Sequence, residues 1–305
     1  MNSDPLAMTH NFPNRLSHLG ILTLSGKDAG RFIQGQVTCN INDITEEKGS
    51  LGALCNVKGR VISTFIAVKH NECYKLILPR TLLDVVKTTL QRYVLRSDVK
   101  LIDSSESDCL AGLILNREAP ELNLPELDFG VFITPVLGLK LPSTVPRFLV
   151  ILGEEQSLDS LASITGSDKP FRAVTSEEWQ LLDLNAGIPW LDETTSEEFI
   201  PQMLNLDKLG GISFNKGCYT GQEIVARTHF LGKAKRELYL AEADCETAPL
   251  PNTEISDSKG ETVGKVLQAF FNGKNCSLQV VLPTTESTND ALQVKSARLQ
   301  LRNYL

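Results

Sequence analysis

No stretch of this sequence stays apolar over the roughly 20 residues that a membrane-spanning helix needs. The opening residues, MNSDPLAMTHNFPNR, lack the basic and apolar regions of a secretory signal. They are expected to form a loose lead-in, and the cytoplasm is the expected compartment. Histidine is rare, and His10, His18, His70 and His229 are scattered without ligand spacing. Cysteines stand at 39, 55, 73, 109, 218, 245 and 276 with no CxxC pair, which argues against a Cys-rich zinc site. No metal site is expected. In a cytosolic chain these cysteines read as reduced thiols, with Cys39, Cys73, Cys109, Cys245 and Cys276 as small buried residues. There is no Walker loop and no GxGxxG, so NAD chemistry is not expected. No acid–base pair marks a free-standing hydrolase. Cationic excess is missing as well: 30 Lys and Arg against 37 Asp and Glu leave a net charge of −7. A global electrostatic grip on nucleic acid is therefore not expected, while a local basic patch stays open.

What is present is a globular composition, 42% hydrophobic and 22% charged, in a chain of 305 residues with no internal repeat. That length exceeds one ordinary core, so several domains are expected. The stretch LGILTLSG (19–26) alternates like a strand, and Ser25 with Asp28 resembles a capping box opening a helix through KDAGRFIQGQV. Residues 52–70 and 73–79 read as strands joined by short turns, 80–96 as an amphipathic helix and 99–105 as a strand. This β-α-β-β-α-β alternation points to an α+β domain with a mostly antiparallel sheet. Short strands and Pro, Gly and Ser loops fill 108–170. A helix follows in AVTSEEWQLLDLNAG, with Thr175 capping, Glu178 reaching back and Gly187 ending it. From about 236 onward, short strands at regular spacing read as a small β-barrel or sandwich. The expected divisions are a lead-in (1–16), an α+β domain (17–105), a second α+β region (106–232) and a barrel (233–305).

The segment LGGISFNKGCYTGQEIVARTHF (209–230) concentrates the chemistry. Gly210 and Gly211 break what precedes, ISF reads as a short strand, and Thr220 with Glu223 fits a capping box opening a helix. Glu223 and Arg227 stand at i,i+4 in the favourable order. Cys218 is thus expected in a glycine-flanked turn ahead of a helix N-terminus, with Lys216 two residues away. Dipole and cation together favour a thiolate, so the turn presents the cysteine rather than burying it. Between Ile224 and Arg236 lie Arg227, His229, Lys233, Lys235 and Arg236, with no acid. That run reads either as a solvated helix face or as a clamp for phosphates or carboxylates, RNA among them.

KGCYTGQE (216–223) resembles the signature of the YgfZ family, relatives of the glycine-cleavage T-protein. FIPQMLNLDKLGGISF (199–214), AR (226–227), SGKDAGRFIQGQVT (25–38) and LCNVKGR (54–60) extend the likeness, which covers most of the chain from about residue 17. The resemblance implies two interleaved ferredoxin-like α+β domains and a C-terminal β-barrel, arranged as a ring. It implies a tetrahydrofolate-binding accessory protein that supports maturation or repair of iron–sulfur enzymes, a tRNA methylthiotransferase among them, and through them tRNA modification. Direct tRNA binding is left open, and no membrane partner is implied. By position, Cys218 falls on the functional thiol, with Lys216 beside it and Gly217 and Gly221 as motif glycines. Trp179, Tyr219, Gln222, Glu223 and Arg227 fall on cofactor-side positions, and Asn56, Lys58 and Arg60 are polar candidates. Leu19 stands where some members carry a second folate-side aromatic, and the helix position of Trp179 by itself favours a core anchor. Two other readings remain: a folate-dependent aminomethyltransferase, whose catalytic acid is not located here, and a non-enzymatic folate-sensing module. A direct tRNA-modifying enzyme is the weaker fourth.

Overall fold

A computed structural model describes residues 14–118, 120–134, 136–153, 163–165, 168–284 and 292–302. Most of the expected lead-in, residues 1–13, lies outside them. The chain divides into two compact units that interleave along the sequence: Met1–Gln34, Ile41–Leu51 and Phe65–Gln180 form one, and Gly35–Asn40, Gly52–Thr64 and Leu181–Leu305 the other.

Two five-stranded sheets and a barrel make up the fold. The first sheet has the order β2-β3-β4-β1-β5, from β1 (Leu19–Ser25), β2 (Ser50–Cys55), β3 (Val61–His70), β4 (Cys73–Pro79) and β5 (Lys100–Asp103). The register Ile21↔Ile77 and Ile66↔Ile77 lines up apolar residues across its centre. Helix α1 (Ala29–Gln34) follows β1. Helix α2 (Leu83–Val94) precedes β5 and buries Leu83, Val86, Leu90 and Val94, a spacing near 3.6 that forms one apolar stripe. The observed order is thus β-α-β-β-β-α-β, one strand more than the sequence suggests. The run 52–70 is split by a turn at 56–60, where Asn56 Oδ1 accepts from the N–H groups of Lys58 and Arg60.

The second sheet has the order β10-β6-β9-β8-β7, from β6 (Cys109–Leu115), β7 (Val131–Phe132), β8 (Leu137–Leu141), β9 (Arg147–Leu152) and β10 (Phe171–Val174). Its core stacks Phe132, Phe148 and Phe171 edge to face at 5.7 and 5.6 Å. Helix α3 (Ser176–Asn185) then begins. Thr175 Oγ1 caps it by accepting from Glu178 N, and Gly187, at φ +74°, ends it. Glu178 does not reach back as expected. Its carboxylate takes two bonds from Arg172 at 2.7 and 2.8 Å, because a charged fork outcompetes a single backbone N–H.

The C-terminal strands close into a barrel, β11-β14-β13-β12-β15-β16, from β11 (Arg236–Ala243), β12 (Glu254–Ser256), β13 (Thr262–Phe271), β14 (Cys276–Pro283), β15 (Gln293–Val294) and β16 (Ala297–Arg302). Leu278, Val280, Leu282, Ile255 and Val266 fill it. Closure leaves no bare sheet edge.

Trp179 on α3 is fully buried against the backbone of Gly112 on β6, and the Arg147 guanidinium lies 4.6 Å over its ring. A Cβ at residue 112 would come within 2.3 Å of the indole. Gly112→Ala is therefore expected to cost about 1–3 kcal/mol in chemical denaturation. Gly217→Ala, where an added Cβ meets nothing within 4 Å, should leave stability unchanged.

Candidate functional site

The KGCYTGQE segment is held from beneath by residues 36–40, which are far away in the chain but belong to the same unit. Thr38 is the node. It is fully buried, and its backbone N–H donates to Ala53 O at 3.0 Å. Its hydroxyl accepts from Ala53 N at 2.9 Å and donates to Gly211 O at 2.7 Å. Its carbonyl accepts from Ser213 N at 2.9 Å. Residues 212–214 do not form the expected strand: an extended segment with this one bond to Thr38 has no ladder to join.

Lys216 turns inward. Its ammonium donates to the carbonyls of Val37 at 2.7 Å and Cys39 at 2.6 Å, and lies 5.2 Å from the centre of the Tyr219 ring. Burial pushes its pKa down to about 8, against the raising influence of Cys39. Tyr219 is buried beside Cys39 and Cys55, and burial pushes its hydroxyl well above the usual range. Burial likewise pushes the Cys55 thiol up to about 12. Lys216 thus ties the loop down through the two carbonyls.

Cys218 sits above this floor and is exposed. Helix α4 (Gln222–Phe230) starts four residues later. The expected capping box is absent: Gly221 is the N-cap, at φ +83°, with no side-chain cap bond. Thr220 instead donates to Gln36 Oε1 at 3.4 Å, and Gln222 Oε1 accepts from Tyr219 N at 3.3 Å. Close packing dictates the glycine. A Cβ at 221 would fall 2.5 Å from Asn56 O, and one at Gly59 2.8 Å from Ile224 Cβ. The turn at 56–60 and the start of α4 therefore fit face to face only as glycines. Gln202, which no sequence signal picked out, donates from Nε2 to Val225 O at 2.7 Å on the buried side of the helix.

The structure brings Lys216, Gly217, Cys218, Tyr219, Gly221, Gln222, Glu223 and Arg227 onto one loop and the helix it opens, with Glu223 and Arg227 exposed. Asn56, Lys58 and Arg60 line a cleft of about 470 Å³ with Val57, Glu197 and Glu198. There Arg60 donates to Glu198 O, while Lys265 holds the Glu198 carboxylate at 2.8 Å. Trp179 falls in the other unit and exposes no ring face. A ligand stacking on it would have to displace the Arg147 guanidinium. Leu19 is buried on β1. Sequence reasoning missed Thr38, whose partner Gly211 stands 173 residues away. No cluster of metal-binding side chains occurs among the described residues.

No model of a known protein family matches the chain. Curated relatives do. The tRNA-modifying protein YgfZ of Colwellia psychrerythraea is 32% identical over 280 residues, 88% of this chain and 84% of its own. This chain belongs to the YgfZ family. The YgfZ proteins of an Enterobacter species and of Yersinia pestis are 31% and 32% identical over 92% and 93% of the chain, each alignment covering 88% of the relative. Among solved structures, the crystal structure of glycine cleavage system aminomethyltransferase T from Bartonella henselae superposes with a TM-score of 0.73 at 14% identity. It covers 98% of this chain and 88% of its own, and establishes a shared fold. Among the described residues, no helix is long and apolar enough to cross a membrane.

Two outcomes are expected of this YgfZ-family site. Iodoacetamide at neutral pH should alkylate Cys218 first, with Cys39, Cys55, Cys109 and Cys276 modified only on unfolding, as read by peptide mass spectrometry. Lys216→Met should lower stability by about 1–3 kcal/mol by leaving two carbonyls without their donor. From about pH 8 to 10.5 the unfolded chain binds the Lys216 proton and the folded chain does not. The stability gap between wild type and Lys216→Met should therefore widen as pH rises through that window, as measured by urea denaturation.

Proposed function

We propose that this protein is a tetrahydrofolate-binding accessory protein that supports maturation or repair of iron–sulfur enzymes, such as a tRNA methylthiotransferase, and so serves tRNA modification. The observation that carries this reading is the placement of Cys218: an exposed thiol on a loop fixed from below by Thr38 and Lys216. A thiol so presented suits transient engagement of a client better than packing, and one thiol cannot enclose a metal by itself. Membership in a family whose curated members are named tRNA-modifying proteins, and a fold shared with an aminomethyltransferase, support the biological context.

The residues divide the work. Cys218 meets the iron–sulfur client as nucleophile or iron ligand. Lys216 and Tyr219 hold the loop, and Gly217 leaves its crest unobstructed. Gln222 braces the loop by accepting from Tyr219 N, while Glu223 and Arg227 offer charges on the exposed face of α4. In the cleft that Glu197 and the Lys265-paired Glu198 also line, Asn56, Lys58 and Arg60 are the groups that would meet the carboxylates of a glutamate-tailed folate. Tetrahydrofolate, when bound, supplies the capacity to accept or deliver a one-carbon unit.

In a strain lacking its own copy, wild type should restore methylthio-modification of tRNA and Cys218→Ser should not. Full rescue by Cys218→Ser would leave a folate-sensing module. Anaerobic calorimetry should show saturable tetrahydrofolate binding, weakened severalfold in Arg60→Gln. Absence of binding to wild type would remove the folate from the reading, and methylene transfer from an aminomethyl carrier would establish an aminomethyltransferase instead.

A further inference from the structure

At the far end of α4 from Cys218, three rings gather at the surface. Phe214 and His229 stack with centroids 3.7 Å apart and planes 13° from parallel. Phe230 packs edge-on against both, at 5.9 and 4.8 Å, and is itself 67% exposed. Phe230 is thus a large ring held in place by its neighbours and left in water. Around it runs the acid-free stretch from Ile224 to Arg236, with Arg227, Lys233 and Lys235 exposed. Beside it opens a cleft of about 430 Å³, whose wall includes His229, Lys233, Lys208 and Gln202. Of the acids facing that cleft, Asp207 and Glu237, the second is held by Lys208 at 2.6 Å. Gln202 is 5% exposed; its Nε2 is engaged by Val225 O, while its Oε1 has no partner among the described residues. A buried amide oxygen without a donor, on a residue lining a cation-rimmed, ring-flanked cleft, is suited to an N–H brought by a ligand.

We propose that this surface, from Phe214 through the end of α4 to Arg236, binds unpaired nucleotides of RNA. Bases stack on the Phe230 and His229 rings, phosphates pair with Lys233, Lys235 and Arg227, and one base edge enters the cleft toward Gln202. The preference for RNA among polyanions rests on the tRNA-modification reading above; the surface itself is independent of Cys218 and of folate. Exposed apolar area is limited to Phe230 and Leu231, too little for a stable protein interface, whereas stacking needs only ring faces. The net charge of −7 opposes any broad polyanion contact, so binding is confined to a few phosphates and is salt-sensitive.

The test is fluorescence anisotropy with a labelled, unstructured RNA of about 12 nucleotides, at about 50 and 200 mM salt. Wild type should bind at the lower salt, with a log–log salt slope of about −2 for some three phosphates at roughly 0.7 each. Phe230→Ala, exposed and so expected to fold, should weaken binding about fivefold or more with the slope unchanged. The double variant Lys233→Gln, Lys235→Gln should reduce the slope by about 1.4. Cys218→Ser should bind as wild type, so failure of the thiol reading and failure of this one are separable. No binding at low salt, unchanged binding by Phe230→Ala, or equal affinity for duplex RNA would overturn the proposal. Equal, Phe230-dependent affinity for poly-glutamate would also overturn it and assign the surface to an acidic protein.

Discussion

The chemistry of this molecule depends on a buried threonine. Thr38 uses its backbone N–H, carbonyl and hydroxyl to join β2 to the backbone of Gly211 and Ser213, and Lys216 completes the clasp on the neighbouring carbonyls of Val37 and Cys39. Each of these polar groups would be costly if buried unpaired, so the clasp holds as a set. Because the floor is fixed, the loop above can project an exposed cysteine without fraying. Lys216, expected to sharpen the thiol electrostatically, serves the backbone instead.

The second constraint is steric. Gly221 and Gly59 meet where the turn at 56–60 packs on the start of α4, and neither position has room for a Cβ. That contact removes the threonine cap that the local pattern suggests. It also leaves the cleft of Asn56, Lys58 and Arg60 in the same unit as the motif loop. The polar candidates read from LCNVKGR and from KGCYTGQE are thus joined by glycine packing rather than by side-chain bonds.

Trp179 shows a helix position and a family resemblance pointing different ways: the position favours a core anchor, and the ring is buried. Its sequence neighbourhood fits either a ligand-facing ring or a core anchor, and the ring is enclosed between Gly112 and Arg147. Phe230, an unremarked residue near a helix end, stays largely in water. Two rings of similar chemistry therefore take opposite roles for reasons of packing.

The sequence by itself determined several elements and the presentation of Cys218. Partial alternation marks β1, a short apolar run marks β4, a 3.6-residue apolar stripe marks α2, evenly spaced short strands mark the barrel, and a polar, glycine-flanked setting keeps a cysteine out of the core. These signals are local, so they survive without knowledge of the fold. Only the tertiary structure decided what lies beneath that cysteine and which glycines are obligatory. Thr38 meets Gly211 across 173 residues of chain and Lys216 meets Val37 across 179. No window of sequence spans such contacts, and a buried threonine reads locally like any strand residue until its three partners converge on it.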